Sequence, residues 1–341
     1  MSVPLKNDTV LKSRYSIRRI IGQGGAGCIY LADDLRLEGR QCALKEVEHD
    51  QSLPADLLQE ARDQFMREAT VLARLDHPNL PKVSDFFNIK NREYLVMDFV
   101  PGKDLRTMMI EARQRNEFLD EDEVLNWASQ LADAISYLHN QETPILHRDI
   151  KPSNLKVTPT GLLKLVDFGL VKVAAPGEVT VTIVQGQGTA IYTPLEQYGG
   201  DNAHTDVRSD IYSFGATFYH LLTNVAPPVA RERFLDNDLL KPITEINPKI
   251  SFRTEQAISW AMSMHPDDRP ESIAVFEDAL LGSAPLDNRP RTGPISARRR
   301  GQSVNFYASA LQELFGTRVE RTLWAIAGGA MLLTLLLTIL L

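Results

Sequence analysis

HRDIKPSN at residues 147–154 and VDFG at residues 166–169 decide how this chain is read. In a fixed order they supply two carboxylates (Asp149, Asp167), an amide (Asn154) and an ammonium group (Lys151). Hard oxygen donors in so sparse a set suit Mg²⁺, which makes few contacts to protein and takes its remaining ligands from phosphate and water. Upstream lie further groups suited to phosphate. Residues 22–29 read GQGGAGCI, where Gly22, Gln23, Gly24, Gly25, Ala26 and Gly27 precede Ile29 and let backbone amides approach phosphate oxygens closely. Taken alone, this loop is equally a tight hairpin turn. A strand rather than a helix follows it, and no Gly-Lys-Ser/Thr is present, so neither a dinucleotide fold nor a Walker-type loop fits. The next strand, QCALK at 41–45, carries Lys45 within reach of phosphates. Glu68, in FMREATVLARL, lies on the helix after it and can hold Lys45 in an ion pair. A helical carboxylate by itself is a solvated surface charge, so Glu68 takes its meaning from Lys45.

Outward from these motifs the chain divides in two. YSIRRIIGQGGAG, CIYLADD and QCALKEVE are short β-rich runs separated by Gly or charged turns, which predicts an antiparallel meander. A helix is predicted from Ala55 to Leu75, and YLVMDFV at 94–100 closes the first lobe before Pro101 and Gly102. Helical patterns then dominate, as in DEDEVLNWASQLADAISYLHN, where Val124, Trp127, Leu131, Ala134, Ile135 and Leu138 share one face. The fold class is therefore α+β: a small β-rich lobe (about 13–100), preceded by an extension (1–12), and a larger helical lobe (about 101–282).

Composition agrees with a folded, reducing-compartment protein: 43% hydrophobic and 24% charged residues, and only Cys28 and Cys42, which imply no disulfide framework. Residues 283–322 carry seven Arg against Asp287, Glu313 and Glu320, a net of +4, which leaves −11 of the total −7 on the rest. So acidic a body gives no reason to expect nucleic acid as a partner. The basic segment is a linker rich in Pro, Gly and Arg, followed by SVNFYASALQELF, whose Val304, Tyr307, Ala308, Leu311, Leu314 and Phe315 fall on one helical face. Residues 323–341 are 19 residues without a charge, about 28 Å as a helix and close to a hydrocarbon core of about 30 Å. They predict one transmembrane helix at the C-terminus. Arg298–Arg300, Arg318 and Arg321 before it place the folded part on the cytoplasmic face of the cell membrane, as a single-pass protein in contact with lipid.

In their order and context these motifs resemble the Hanks-type protein kinases, in style the bacterial membrane-anchored Ser/Thr members, over about residues 13–282. The resemblance implies a bilobal kinase fold and transfer of the γ-phosphoryl group of ATP to protein Ser or Thr, with Mg²⁺ (or Mn²⁺). It implies that Asp149 accepts the proton of the attacking hydroxyl, that Lys151 neutralises the transferring group, and that Asn154 and Asp167 hold the metal. Lys45, positioned by Glu68, is implied on the ATP phosphates. Ala43, Met97 as gatekeeper, and the Asp98 to Val100 backbone are implied around adenine. Thr189, in GTAIY, is implied to contact Asp149 and Lys151, and Asp210 to support the catalytic loop. Arg269 is implied to pair with Glu196. One departure is visible: Pro194, Leu195 and Glu196 stand where the family has Ala-Pro-Glu, which leaves substrate consensus open. A nucleotide-binding pseudokinase scaffold and a small-molecule kinase are the alternatives. Arg148, before Asp149, suggests an anion from the activation segment, for which Thr180 and Thr182 are phosphosite candidates, modified between the two copies of a homodimer.

Overall fold

The computed structural model describes residues 4–24, 27–48, 54–167, 172–173, 190–198 and 205–282. Gly25, Ala26, Thr180, Thr182, Thr189 and the whole of 283–341, with its expected linker and transmembrane helix, lie outside the described residues. Among the described residues no helix is long and apolar enough to cross a membrane.

Six antiparallel strands form the first lobe: β1 (Val10–Leu11), β2 (Tyr15–Gly24), β3 (Gly27–Asp34), β4 (Gln41–Glu48), β5 (Val83–Ile89) and β6 (Arg92–Asp98). Their order is β1-β2-β3-β4-β6-β5, so the expected meander holds only through β4. Helix α1 (Ala55–Arg74) intervenes, and the chain re-enters as a hairpin whose second strand, β6, runs against β4 from Cys42↔Asp98 to Glu48↔Arg92. The β5 strand is left at the edge. The buried run Tyr94–Met97 suits an inner strand covered on both faces, which is why β6 and not β5 takes that place.

Alternation along β4 separates two cores. Cys42 and Leu44 point outward into a cluster with Tyr15, Ile17, Tyr30, Phe87 and Tyr94, closed by Leu11 and Leu5 from the N-terminal residues. Ala43 and Val47 point inward, against Phe65, Ala69 and Leu72 of α1 and Leu95 and Met97 of β6. Lys45 stands between Ala43 and Val47 on that inward face.

The second lobe contains α2 (Leu105–Gln114), α3 (Glu121–His139), α4 (Val207–Thr223), α5 (Ala230–Leu235), α6 (Ile243–Ile246), α7 (Phe252–Ala261) and α8 (Ile273–Leu281). All six apolar residues named for α3 are buried, and Asp120 caps the helix by accepting from the Glu123 amide. Central α4 is buried along nearly its whole length; a side chain at Gly215 would press into Met262 and Ala261, so only glycine allows α7 to pack there. Short pairings frame the cleft: β7 (Lys103–Asp104), β9 (Leu155–Val157) and β10 (Leu163–Leu165) in the order β10-β9-β7, and β8 (Ile145–Leu146) with β11 (Lys172–Val173). Buried Asn79 ties the lobes together: its Nδ2 donates to Leu163 O at 2.8 Å and its own carbonyl accepts from the Leu165 amide at 2.8 Å.

Candidate active site

Residues 147–154 form the loop between β8 and β9, ending in a single tight turn at Pro152–Asn154. Asp149 lies at its centre. Its Oδ2 accepts from Lys151 Nζ at 2.7 Å and from Asn154 Nδ2 at 3.0 Å, and Asn154 Nδ2 also reaches the Asp149 carbonyl at 2.8 Å. The other carboxylate oxygen, Oδ1, is buried and has no hydrogen-bond partner among the described residues. One oxygen is thus fixed by two donors while the other remains available as an acceptor.

The loop is held from beneath by Asp210, wholly buried on α4. Its Oδ2 accepts from the His147 amide at 2.8 Å and its Oδ1 from the Arg148 amide at 2.8 Å, and Oδ2 also lies 2.9 Å from His139 Nε2. Burial opposes ionisation of Asp210, but the hydrogen bond and charge of His139, with His147 and the Arg148 amide, outweigh it and hold its carboxyl below the usual range. These bonds grip a backbone that has little inclination to stay: Arg148 has φ 62°, a left-handed conformation unfavourable for a side chain of its size. The Arg148 side chain is largely buried, which depresses its pKa against the partial compensation of Asp210 and Glu68. Its Nη2 donates to Thr205 Oγ1 at 2.6 Å, while Nε and Nη1 have no partner among the described residues.

Across the cleft, Asp167 also has a left-handed backbone (φ 58°) and its Oδ1 lies 2.5 Å from Lys45 Nζ. Burial would raise the Asp167 pKa, but Lys45, by charge and hydrogen bond, and then Lys151 and His147 lower it further, so the group stays an anion. The Val166 amide donates to Asn154 O at 2.8 Å, which fixes the Asp167 segment beside Asn154. Lys45, Asn154, Asp149, Lys151 and Asp167 are therefore brought together. Glu68 is buried on α1 and accepts from Gln64 Nε2 at 3.0 Å.

Gly22, Gln23, Gly24, Gly27 and Ile29 form the tip of the β2–β3 hairpin, in the register Gly22↔Ile29, Gln23↔Cys28 and Gly24↔Gly27. Gly27 has φ 149° and a Cβ there would collide with the Glu46 carbonyl of β4, so the hairpin can lie this close to the strand bearing Lys45 only with glycine. Ile29 pairs with Lys45 and Ala43 with Met97, which puts these four side chains on neighbouring strands. Met97 and Val100 are buried. The Asp98 amide is bonded to Lys82 O at 3.0 Å.

Glu196 and Arg269 form a buried two-pronged pair, Nη1 to Oε1 at 2.6 Å and Nη2 to Oε2 at 3.0 Å, with Ser209 Oγ donating to Oε1 at 2.8 Å. The shifted Pro194 does not keep Glu196 from Arg269. Two contacts escaped the sequence reading. His139 reads as an ordinary residue at the end of α3, and although Tyr192 closes the GTAIY stretch, nothing in the sequence pairs its hydroxyl with His220 Nδ1, 2.7 Å away. The only signal was that helix-terminal His residues sit opposite buried polar positions of a neighbour, which needs the packing to be known.

Residues 15–281 match the family described as the protein kinase domain. Among curated relatives, a probable serine/threonine-protein kinase of Clostridium acetobutylicum is 31% identical over 277 residues, covering 80% of this chain and 40% of that protein. The serine/threonine-protein kinase PknB of Mycobacterium tuberculosis is 32% identical over 331 residues, covering 84% and 49%. The chain thus spans less than half the length of these relatives. Among solved structures, the PknI kinase domain of Mycobacterium tuberculosis superposes with a TM-score of 0.60 at 27% identity, over 81% of this chain and 98% of that one. The apo form of PpkA-294 does so with a TM-score of 0.64 at 26% identity, over 82% and 100%. With the two-lobed fold, the supported loop at Asp149 and the Lys45–Asp167 contact, these matches establish that the chain belongs to the protein kinase family.

Proposed function

We propose that this protein is a Ser/Thr protein kinase that uses ATP and a divalent cation, Mg²⁺ by preference. The observation that carries the reading is Asp149, whose Oδ2 is fixed by Lys151 and Asn154 while its Oδ1 accepts no hydrogen bond among the described residues, with the Lys45–Asp167 pair held nearby through Val166 and Asn154. The donor set fits Mg²⁺: Asp167 is kept ionised, and Asn154 spends its amide nitrogen on Asp149, which leaves its oxygen for a hard cation. When bound, the ion neutralises charge on the phosphates. The chain's own residues do the rest. Asp149 takes the proton of the Ser or Thr hydroxyl as the oxygen–phosphorus bond forms, and the bond from the γ-phosphorus to the bridging oxygen breaks, releasing ADP. Lys151 meets charge on the moving phosphoryl group, and Lys45 and the Gly22–Gly27 hairpin hold the phosphates that remain. Thr189 would steady Asp149 and Lys151 from the substrate side.

The test is incorporation of labelled phosphate from Mg·ATP into a protein acceptor by the full chain and by Asp149→Asn. Transfer by the parent and a loss of roughly 10²-fold or more in the folded variant supports the assignment. Nucleotide binding without transfer would favour a scaffold, and transfer only to a metabolite a small-molecule kinase.

The same reading extends to control and location. The buried guanidinium of Arg148, with two N–H groups unused, is an anion acceptor, and a phosphate on Thr180 or Thr182 would supply charge and acceptor oxygens. The uncharged run 323–341, behind a basic segment, supports anchorage in an anionic-lipid membrane with the kinase lobes on the cytoplasmic side, where two tethered copies meet readily. Retention of the full chain in alkaline-washed membranes, and its release when residues 301–341 are deleted, would bear this out.

A further inference from the structure

Helix α2 presents an unneutralised basic face beside the loop that carries Tyr192. Arg106, Ile110 and Arg113 recur at helical spacing, all three exposed, while Leu105, Met109 and Ala112 form the buried side of the same helix. Neither arginine forms an ion pair among the described residues. The acids nearby are already engaged. Asp104 accepts from Thr107 N at 2.8 Å and Thr107 Oγ1 at 3.0 Å, Glu111 binds Lys103 Nζ at 2.8 Å, and Glu117 binds Arg115 Nε at 2.7 Å.

The basic face is tied to the substrate side of the site by two contacts. Asn224 Nδ2, at the C-terminal end of α4, donates to Glu117 O at 2.9 Å, which fixes that end of α4 against the turn after α2. One helical turn earlier on α4, His220 Nδ1 is hydrogen-bonded to the Tyr192 hydroxyl at 2.7 Å, and the rings are stacked. Burial, and then the charges of Arg113 and Arg106, push the His220 imidazole down to about 4, so at neutral pH this pair adds no cation of its own. Arg106 likewise acts on Tyr192.

We infer that the Arg106–Ile110–Arg113 face of α2, with the Tyr192–His220 pair as its floor, selects protein substrates bearing acidic side chains near the phosphorylated Ser or Thr. Charge complementarity supplies the selection, and Ile110 offers an apolar contact between the two cations. The inference rests on reading residues 190–198 as the substrate-docking segment of a protein kinase.

Binding of fluorescein-labelled Thr peptides to the full chain, read by anisotropy, tests it without turnover. The peptides differ only in flanks of Asp/Glu, Ala or Lys/Arg. Two exposed pairs predict about five-fold tighter binding of the acidic peptide than of the Ala peptide at low salt, fading near 0.5 M. The double variant Arg106→Glu/Arg113→Glu should prefer the basic peptide, an outcome that misfolding cannot produce. If that variant does not fold, Arg106→Gln/Arg113→Gln should bind all three peptides alike, whereas the surface control Arg115→Ala should keep the acid preference. Equal binding of the three peptides by the parent, or an acid preference surviving in either double variant, overturns the inference. Phosphate transfer is scored separately: acid-selective binding without transfer would sink the kinase reading and leave the acidic-peptide site standing.

Discussion

Replacing Asp210 by alanine removes the acceptor of three buried donors at once: the His147 amide, the Arg148 amide and His139 Nε2. Each buried donor left unsatisfied costs about 1–3 kcal/mol, partly offset because a carboxylate no longer has to be desolvated. A net loss of about 4 kcal/mol is expected, within the range for breaking a buried charged network. For a domain of this size that lowers the melting temperature by roughly 8–16 °C. Arg148 would also lose what holds it at φ 62°, a conformation that costs about 1–2 kcal/mol, so the loop should relax and carry Asp149 with it. A shift near 1 Å at a reacting group is worth about 10² in rate, so kcat should fall by at least that much while the KM for ATP moves little. Asp210→Asn makes a graded comparison. Its oxygen can still serve the Arg148 amide, its NH₂ can donate to His139 in the other tautomer, and only the His147 amide then faces a donor. About 2 kcal/mol is expected. Thermal unfolding and steady-state kinetics on the same preparations decide the matter. An Asp210→Ala protein melting within about 2 °C of the parent, with kcat within two-fold, would refute the view that this carboxylate holds the loop in place.

Three further outcomes follow from other contacts. Arg269→Ala strands Glu196 in the interior and should cost about 3–5 kcal/mol by chemical unfolding, with Arg269→Lys recovering only part because an ammonium cannot span both oxygens. Gly27→Ala should weaken Mg·ATP binding and lower stability by about 2 kcal/mol, since the side chain meets the Glu46 carbonyl at a φ that favours glycine; an unchanged Kd by calorimetry would count against the close hairpin. His220 has a folded pKa near 4 and an unfolded value of about 6.5, so the unfolded chain takes up the proton first as pH falls. Its contribution is complete above about pH 6.5 and is lost as pH drops toward 4, by about 1–2 kcal/mol once partial exposure is discounted. His220→Gln keeps a polar partner for Tyr192 and should reduce the slope of stability against pH in that window, leaving the contribution of buried His147, whose pKa is lowered by burial, in place.

What the sequence made legible was the chemistry that depends on neighbours along the chain. Asp149, Lys151 and Asn154 fall within one short motif whose resemblance to a kinase loop implied a shared role, and the structure joins them through hydrogen bonds of 2.7 to 3.0 Å. Helix α3 was legible because six apolar residues at helical spacing leave one face to bury. Contacts between distant elements were legible only where the family resemblance carried them, as for Asp210 beneath the loop and Arg269 with Glu196. The insertion of β6 between β4 and β5 is a matter of which edge the β5–β6 hairpin presents, and both strands carry apolar residues. Residues before Tyr15 read as an extension because Val10 and Leu11 are too short a run to announce a strand; only pairing with Ser16 and Tyr15 makes them β1. Lys45 also meets Asp167, at 2.5 Å, a contact between residues 122 positions apart that no local pattern announces.

Helix α4 explains how these distant contacts act together. It buries Ser209, Asp210, Ser213, Thr217 and Thr223, an arrangement that would be costly in a core unless each found a partner. Ser209 bonds Glu196, Asp210 bonds the loop bearing Asp149, Thr217 Oγ1 donates to Ile150 O at 3.1 Å, and His220 takes the Tyr192 hydroxyl. In chain order along one rod of about 25 Å, the same helix therefore grips the end of the substrate segment, the catalytic loop at two points, and the substrate segment again. A rigid helix converts these into fixed distances between the proton acceptor and the segment that presents the hydroxyl. Because phosphoryl transfer relies mainly on positioning and charge, a strained loop at Arg148 and a buried carboxylate at Asp210 are tolerable costs for holding Asp149 still. Helix α3 adds to this support through His139, whose Nε2 lies 2.9 Å from Asp210 Oδ2.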